Sequence, residues 1–165
     1  MFVRTAGERD VDKIRALLVE TWQATYTPIH GAETVARINA SWHGADALKG
    51  QIMRPDAEFL VADDGKLLGG MAYAFAEAGG KTVILRQLYV RPELQGRGIG
   101  SMLLDEIIES FADAHVFRLE VDEANPRAID FYVSQGFERV GRSENCGAAG
   151  SGIPALIFER RMLQS

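Results

Sequence analysis

Apolar residues recur at helical spacing near the start of the chain. After FVRT, which predicts a first strand, an apolar residue follows every three or four positions within DVDKIRALLVETWQATY. This spacing predicts an amphipathic helix, and Asp10 stands where an N-cap is expected. Residues 31–55 predict one or two further short helices, interrupted around residues 41–44 and stopped by Pro55.

The pattern then changes to short apolar runs separated by glycine-containing turns. EFLVA, LLGGMAYAFAEA and TVILRQLYV are each rich in apolar residues, and the pairs Asp64-Gly65 and Gly79-Gly80 between them suit tight hairpins. The segment predicts an antiparallel meander of three strands.

The second half of the chain alternates between helical and strand-like patterns. Ile99, Leu103, Ile107 and Phe111 predict a helix directly after a glycine stretch. HVFRLEV then predicts a strand, PRAIDFYVSQ a helix, and FERVGRS and IPALIFERRM two closing strands. The order predicts an α/β (α+β) fold with one βαβ crossover in the middle.

Composition and charge narrow the class of protein. At 165 residues with 47% hydrophobic side chains, we expect a single domain over residues 1–165. The formal net charge of −5 provides no global basic field for nucleic acid or an anionic membrane, so neither is an expected partner. Because Cys146 is the one cysteine, no internal disulfide forms.

The start of the chain bears on location. MFVRTAGERD lacks the apolar stretch of a secretory signal, and no apolar run approaches the roughly 20 residues of a membrane span. We therefore expect a cytoplasmic protein.

The segment QGRGIG places three glycines between a predicted strand and a predicted helix. This arrangement is typical of phosphate binding, because glycines let an anion approach the positive end of the helix. A P-loop would need a lysine after the glycines, and a dinucleotide fingerprint would need glycine at Ser101 or Leu103. Both are excluded, whereas a purely structural role in close helix-strand packing stays open.

Two ordered motifs carry a family resemblance. QGRGIG matches (Gln/Arg)-x-x-Gly-x-(Gly/Ala), and NPRAIDFYVSQGF follows it as a second block. On these motifs the chain resembles the GNAT superfamily of acyl-CoA-dependent N-acyltransferases, over about residues 58–140. The resemblance implies a mixed, largely antiparallel central sheet flanked by helices and splayed between its fourth and fifth strands, with coenzyme A entering the gap.

The resemblance also implies a cofactor site for acetyl-CoA. The glycine turn would hold the pyrophosphate, and backbone N–H groups of the preceding strand would face the thioester and pantetheine. The residues implied are Leu88, Tyr89, Val90, Gln95, Gly96, Arg97, Gly98, Ile99, Gly100, Ser101, Asn125 and Arg127. Taken alone, Asn125 also fits an ordinary helix cap.

Acyl transfer to an amine sets three chemical roles. An alkylammonium has a pKa of about 10.4, so its deprotonation at pH 7 costs about 4–5 kcal/mol and calls for a base. The oxyanion needs a donor and the departing thiolate needs an acid. The resemblance implies the Leu88 N–H as donor and Tyr132 as acid, although Tyr132 alone also fits a core aromatic.

The base is the least defined of the three roles. LEV resembles a strand of bacterial enzymes that acetylate protein N-terminal amines, in which a glutamate precedes the acid tyrosine by the separation between Glu120 and Tyr132. Glu120 is therefore the first candidate and Glu77 a weaker one. A glutamate on a half-exposed strand is also commonly only solvated.

The sequence also suggests positions for two aromatic residues and for the three histidines. Trp22 and Tyr26 are implied to line the acceptor groove, although Trp22 also falls on the apolar helix stripe and favours the core. His30, His43 and His115 are expected at the surface. No cluster has metal-ligand spacing, so no metal is expected.

The predicted function is N-acetyl transfer from acetyl-CoA to a primary amine of a small molecule or peptide by direct attack. A covalent intermediate on Cys146 is a minor alternative. A longer acyl-CoA donor and a non-catalytic CoA-binding sensor or scaffold of the same fold stay open. A homodimer through the C-terminal strands is also left open.

Overall fold

The computed structural model describes residues 1–145 and 152–162. Two 3₁₀ turns, Glu8–Asp10 and Pro92–Leu94, accompany the regular elements. The strands are β1 (Phe2–Thr5), β2 (Ala57–Asp63), β3 (Leu68–Ala76), β4 (Thr82–Val90), β5 (Val116–Asp122), β6 (Glu138–Ser143) and β7 (Ala155–Arg161). The helices are α1 (Val11–His30), α2 (Ala32–Trp42), α3 (Ala45–Met53), α4 (Ile99–Ser110) and α5 (Pro126–Ser134).

The seven strands form one mixed sheet in the order β1-β2-β3-β4-β5-β7-β6. β4 and β5 are parallel, whereas β1 with β2, β5 with β7, and β6 with β7 are antiparallel. The parallel ladder runs from the pair Thr82–Val116 to the pair Ile84–Arg118. The predicted α/β fold with a largely antiparallel sheet is confirmed.

Helix α1 is longer than the apolar pattern predicts. The prediction stops at Tyr26, but the helix continues to His30 through Pro28. A proline this close to the end removes only one backbone hydrogen bond, and the helix still closes with Gly31 N donating to Thr27 O at 2.9 Å. Gly31 has φ +87°, a conformation that glycine adopts readily, and it ends the helix.

The predicted N-cap role of Asp10 is wrong for its side chain. Asp10 occupies the N-cap position of α1 but makes no capping hydrogen bond. Its carboxylate instead accepts from Arg4 Nη1 and Nη2 at 2.9 and 2.8 Å and from Gly7 N at 2.8 Å, because the 3₁₀ turn directs it back towards β1. These hydrogen bonds, first of all those from Arg4, lower the pKa of Asp10 to about 2.

The chain divides into two compact units, each built from two segments. The first unit comprises Met1–Ala74 and Gln87–Ser110, and its core includes Leu17, Leu48, Met71 and Leu103. The second unit comprises Phe75–Arg86 and Phe111–Ser165, and its core includes Val83, Phe117, Leu119 and Phe158. Of the helices described, none combines the length and apolar character that crossing a membrane requires.

Candidate active site

The first unit carries the end of β4 and the glycine turn. Leu88, Tyr89 and Val90 are half-buried at the end of the strand. Strand β3 approaches this segment closely, because a Cβ added to Gly70 would lie 2.8 Å from Tyr89 O. Glycine at position 70 is therefore required for packing, a role the sequence alone did not indicate.

The backbone of the predicted pyrophosphate-binding turn is exposed and has free space around it. Gly96 and Gly98 have φ +81° and +84°, a region that side chains other than glycine rarely adopt. No atom lies within 4 Å of where a Cβ would stand at either position. Close packing therefore does not explain these two glycines, and the exposed backbone leaves room for an anion to approach, as the predicted cofactor requires.

Helix α4 begins directly after this turn. Its first residue is Ile99, which is buried, and Met102 N donates the first helical hydrogen bond to Gly98 O at 3.0 Å. The first N–H groups of an α-helix have no acceptor within the helix itself, and the helix dipole adds about half a positive charge at this end. Gly100 and Ser101 lie in the same first turn and Arg97 is exposed beside it.

Gln95 holds the turn against the strand. Its side-chain Nε2 donates to Val90 O at 3.1 Å, which links the residue before the glycines to the last residue of β4. The motif glutamine thus has a structural contact in addition to its predicted cofactor role.

Arg91 is an anchoring residue that sequence reasoning missed. Its backbone N donates to Gly69 O at 2.8 Å, its Nε donates to Leu68 O at 3.1 Å, and its Nη1 pairs with Glu20 of α1. The Arg91 side chain is 14% exposed, so its bond to Leu68 O is part-buried, whereas its ion pair with the exposed Glu20 lies at the surface. In the sequence, the one feature that could have indicated this role is the position of Arg91 between an apolar strand and a proline.

The sequence alone indicated no role for the side chain of Gln87, a polar residue inside an apolar strand. It is buried, and its Oε1 has no hydrogen-bond partner among the described residues. An unsatisfied buried acceptor costs about 1–3 kcal/mol, so such an atom is a candidate contact for a bound molecule or an ordered water.

The two predicted acceptor-groove residues lie in an aromatic cluster of the first unit. Trp22 and Tyr26 are both buried, with ring centroids 4.3 Å apart, and Trp22 lies 6.2 Å from the ring of Tyr89 in an edge-on arrangement. Trp22 is 5% exposed, so its packing role is confirmed. The structure thereby brings Trp22 against a residue of the predicted cofactor strand.

His43 belongs to the same cluster, and its predicted surface position is wrong. It is fully buried, its ring centroid is 5.4 Å from that of Trp22, and its Nδ1 lies 2.6 Å from Asn39 Oδ1. The Asn39 carbonyl oxygen can only accept, so Nδ1 carries the proton and Nε2 is left as an acceptor without a partner among the described residues. Long-range packing of α1 on α2 decides this burial.

The other two histidines are less buried than His43. His115 is exposed, and His30 is half-buried and stacks on Tyr26.

Burial of His43 predicts a dependence of stability on pH. It lowers the pKa of His43 from 6.5 to about 4, because desolvation disfavours the charged imidazolium. Between these values the unfolded chain binds the proton and the folded protein does not. The free energy of unfolding should therefore fall by about 3 kcal/mol as pH drops from 6.5 to 4. Below pH 4, His43 should cause no further loss of stability.

Urea denaturation at pH 6.5, 5 and 4 measures this dependence, and His43→Gln should reduce its slope. The exposed His115 supplies the control, since His115→Gln should leave the slope unchanged. Asp10 does not interfere, because the stability linked to its lowered pKa is lost only between pH 3.8 and about 2. An NMR titration in which His43 protonates near pH 6.5 would contradict the prediction.

The second unit carries the predicted base and acid. Glu120 is exposed on β5, opposite Ile157 of β7, and Tyr132 is 8% exposed on α5. The Tyr132 ring packs edge-on against Phe131 and Phe137, with centroids 5.2 and 5.6 Å away. The weaker base candidate, Glu77, is an exposed turn residue whose backbone N donates to Thr82 O.

Asn125 caps helix α5. Its Oδ1 accepts from Ala128 N at 3.3 Å, and Asn125 N donates to Asp122 O at 3.0 Å. The capping alternative for Asn125 is thus confirmed, while its cofactor role and that of the exposed Arg127 stay predictions. Asp122 is buried and accepts from Ala124 N at 2.9 Å, so it orders the turn into the helix.

Two predictions concern cysteine and metal. Cys146 lies outside the described residues. Within residues 1–145 and 152–162, no group of three or more His, Cys, Asp or Glu side chains is arranged to hold a metal ion.

Solved structures share this fold. The PaiA N-acetyltransferase from Thermoplasma acidophilum, solved in complex with coenzyme A, superposes with a TM-score of 0.86, 24% identity and 98% coverage of both chains. At this identity the likeness establishes a common fold.

Curated proteins match over shorter segments. Thialysine N-epsilon-acetyltransferase of Sus scrofa is 34% identical over 67 residues, which is 39% of this chain and 39% of that protein. N-alpha-acetyltransferase RimI of Mycobacterium tuberculosis is 36% identical over 99 residues, 58% of this chain and 61% of that protein. The matched segments thus span less than two thirds of these relatives.

A family model covers most of the chain. The model of the acetyltransferase (GNAT) family matches residues 12–137, which include both β4 with the glycine turn and the segment that carries Glu120 and Tyr132. The chain therefore belongs to the GNAT family of acetyltransferases.

Proposed function

We propose that the protein is an N-acetyltransferase that moves the acetyl group of acetyl-CoA to a primary amine by direct attack. The observation that carries the proposal is the glycine turn, in which Gly96 and Gly98 expose backbone in a conformation that packing does not require. Acetyl-CoA supplies the acetyl group as an activated thioester.

The glycine turn binds the pyrophosphate. N–H groups at the start of α4 donate to phosphate oxygens, and the helix dipole favours their negative charge. Gln95 keeps the turn attached to Val90 O, and Arg97 adds a nearby positive charge. Leu88, Tyr89 and Val90 contribute backbone groups to the pantetheine.

Leu88 and Tyr132 act on the charges that develop during transfer. The Leu88 N–H donates a hydrogen bond to the carbonyl oxygen of the thioester, where negative charge builds up. The Tyr132 hydroxyl donates a proton to the departing sulfur, and the ring contacts with Phe131 and Phe137 hold it in one orientation.

Glu120 accepts, through water, the proton that the ammonium loses, and the neutral amine that results attacks the thioester carbon. Glu120 is exposed on β5, so solvent water reaches this residue. The names of the two curated relatives place the acetyl group on a nitrogen, at the ε-position of thialysine in one and at an α-position in the other. Small amines and peptides are therefore both retained as acceptor classes.

A sensor that binds CoA without catalysis is the second candidate. A sensor needs the turn but has no use for an acid, so the buried Tyr132, whose ring packs against Phe131 and Phe137, favours the enzyme.

Calorimetric titration with acetyl-CoA, followed by thiol-release assays over a panel of amines, tests the proposal. The panel includes diamines, amino acids and peptides with free N-termini. We expect binding together with thiol release for one class of amine. Binding without release would favour the sensor, and absence of binding would contradict the proposed role of the glycine turn.

A further inference from the structure

Strands β5 and β7 form a charged, partly open sheet face in the second unit. Residues opposite each other in an antiparallel pair point to the same side, and the register pairs Val116 with Arg161, Arg118 with Glu159, and Glu120 with Ile157. The alternate residues of β5, such as Phe117 and Leu119, are buried on the other side. The six paired residues are called the charged face below.

A surface pocket of about 380 Å³ lies on this face. Its lining residues are His115, Val116, Arg118, Glu159, Arg161 and Met162. The volume is in the range of small-molecule sites, about 300–1,000 Å³. The backbone beneath is held by His115 N donating to Lys81 O at 2.7 Å and Met162 N donating to His115 O at 2.8 Å, so the lining is positioned by the sheet itself.

The charges of the pocket favour an anion. Arg118 Nε donates to Glu159 Oε2 at 2.6 Å, which balances one of the two arginines. Arg161 is exposed and has no carboxylate within ion-pair distance in the part of the chain that the structure describes. The pocket lining therefore has one positive charge left over, because Glu120, the other carboxylate of the charged face, is not among the residues that line the pocket. A planar guanidinium pairs well with a carboxylate, to which it donates two parallel hydrogen bonds.

The distance to Glu120 links this pocket to the proposed reaction. Arg118 is two residues from Glu120 on the same side of β5, and Val116, the partner of Arg161, is four residues away. At the rise of a strand these separations are about 7 and 13 Å. An amine beside Glu120 can therefore belong to a molecule whose carboxylate reaches the pocket, with Val116 and Met162 providing apolar contact for the chain between them.

We propose that the pocket lined by Arg118 and Arg161 on the charged face binds the carboxylate of the acceptor, so that the preferred acceptors are molecules with a primary amine at one end and a carboxylate at the other. Diamino acids such as lysine, acetylated at the side-chain nitrogen, are the simplest members of this class. The inference rests on the proposed function, because it takes Glu120 as the base.

A matched pair of acceptors isolates the carboxylate. Lysine and 1,5-diaminopentane carry the same amine and differ by one carboxylate, so the ratio of their kcat/KM values measures its contribution. We expect the wild type to favour lysine by about tenfold, the effect of one hydrogen-bonded charge pair. Arg161→Gln should bring the ratio close to one.

Arg139→Gln is the matched control. Arg139 is an exposed arginine of the same unit, but it pairs with Phe158 and thus lies in the register of the opposite sheet side. The control should keep the wild-type ratio. An unchanged ratio in Arg161→Gln, or equal loss in both variants, would overturn the inference while leaving acetyl transfer itself intact.

A binding measurement separates this inference from the proposed function. Glutarate, which has carboxylates and no amine, should shift the NMR signals of the Arg118 and Arg161 side-chain N–H groups, and Arg161→Gln should abolish the shift. This result would support the carboxylate site even if no amine were acetylated. Absence of any shift, or a response to inorganic phosphate in preference to glutarate, would overturn it.

Discussion

Tyr132→Phe is expected to lower kcat by about 10²- to 10³-fold while leaving the affinity for acetyl-CoA unchanged. A positioned general acid contributes about 10²- to 10⁴-fold, and the substitution removes only the hydroxyl that donates the proton. Tyr132 is buried and its ring contacts Phe131 and Phe137, so phenylalanine retains the packing. The fold should therefore survive and the loss should be confined to turnover.

Steady-state kinetics together with calorimetric titration of acetyl-CoA would measure both quantities. Tyr73→Phe serves as the control, because Tyr73 is also a buried tyrosine, its hydroxyl bonds to Arg54, and no catalytic role is assigned to it. The control should keep the wild-type kcat. Equal turnover in Tyr132→Phe and the wild type would remove Tyr132 from the acid role.

Gly98→Val is expected to weaken acetyl-CoA binding by at least about 100-fold. The side chain would stand in open space where the pyrophosphate approaches the first turn of α4, and it would force a residue with φ +84° into a strained backbone. Losing two charge-assisted hydrogen bonds, at about 1.5–3 kcal/mol each, accounts for an effect of this size.

Gly65→Val controls for the backbone strain. Gly65 has φ +94° in the β2–β3 turn and, like Gly98, has no atom within 4 Å of an added Cβ. Both variants should lose a similar amount of stability in urea denaturation, but only Gly98→Val should lose affinity in calorimetric titration. If the two variants bound acetyl-CoA equally well, the glycine turn would have no role in pyrophosphate binding.

The proposed carboxylate site separates two kinds of specificity. The glycine turn and Tyr132 would serve any amine that reaches the thioester, whereas Arg161 would select among amines by a group distant from the reaction. Specificity is a difference between affinities, so a single exposed arginine can alter acceptor choice with little effect on the chemical step. This is why the acceptor pair, rather than total activity, is the informative measurement.

Local sequence patterns predicted most of the fold. Apolar periodicity placed α1 through Ile14, Leu17 and Leu18, and the glycine-containing turns separated β2, β3 and β4, because these signals depend on residues a few positions apart. The open turn at Gly96 and Gly98 was likewise visible as a motif. Positive φ is a property of the backbone that glycine itself makes accessible.

Tertiary structure decided the features that depend on distant residues. His43 is buried because α1 and α2 pack around it, and Asp10 binds Arg4 of the first strand instead of capping its own helix. The insertion of β7 between β5 and β6 brings Arg161 opposite Val116, far away in sequence. A contact of this kind depends on how whole surfaces of the protein fit together. The spacing of residues that are close in sequence therefore does not predict it.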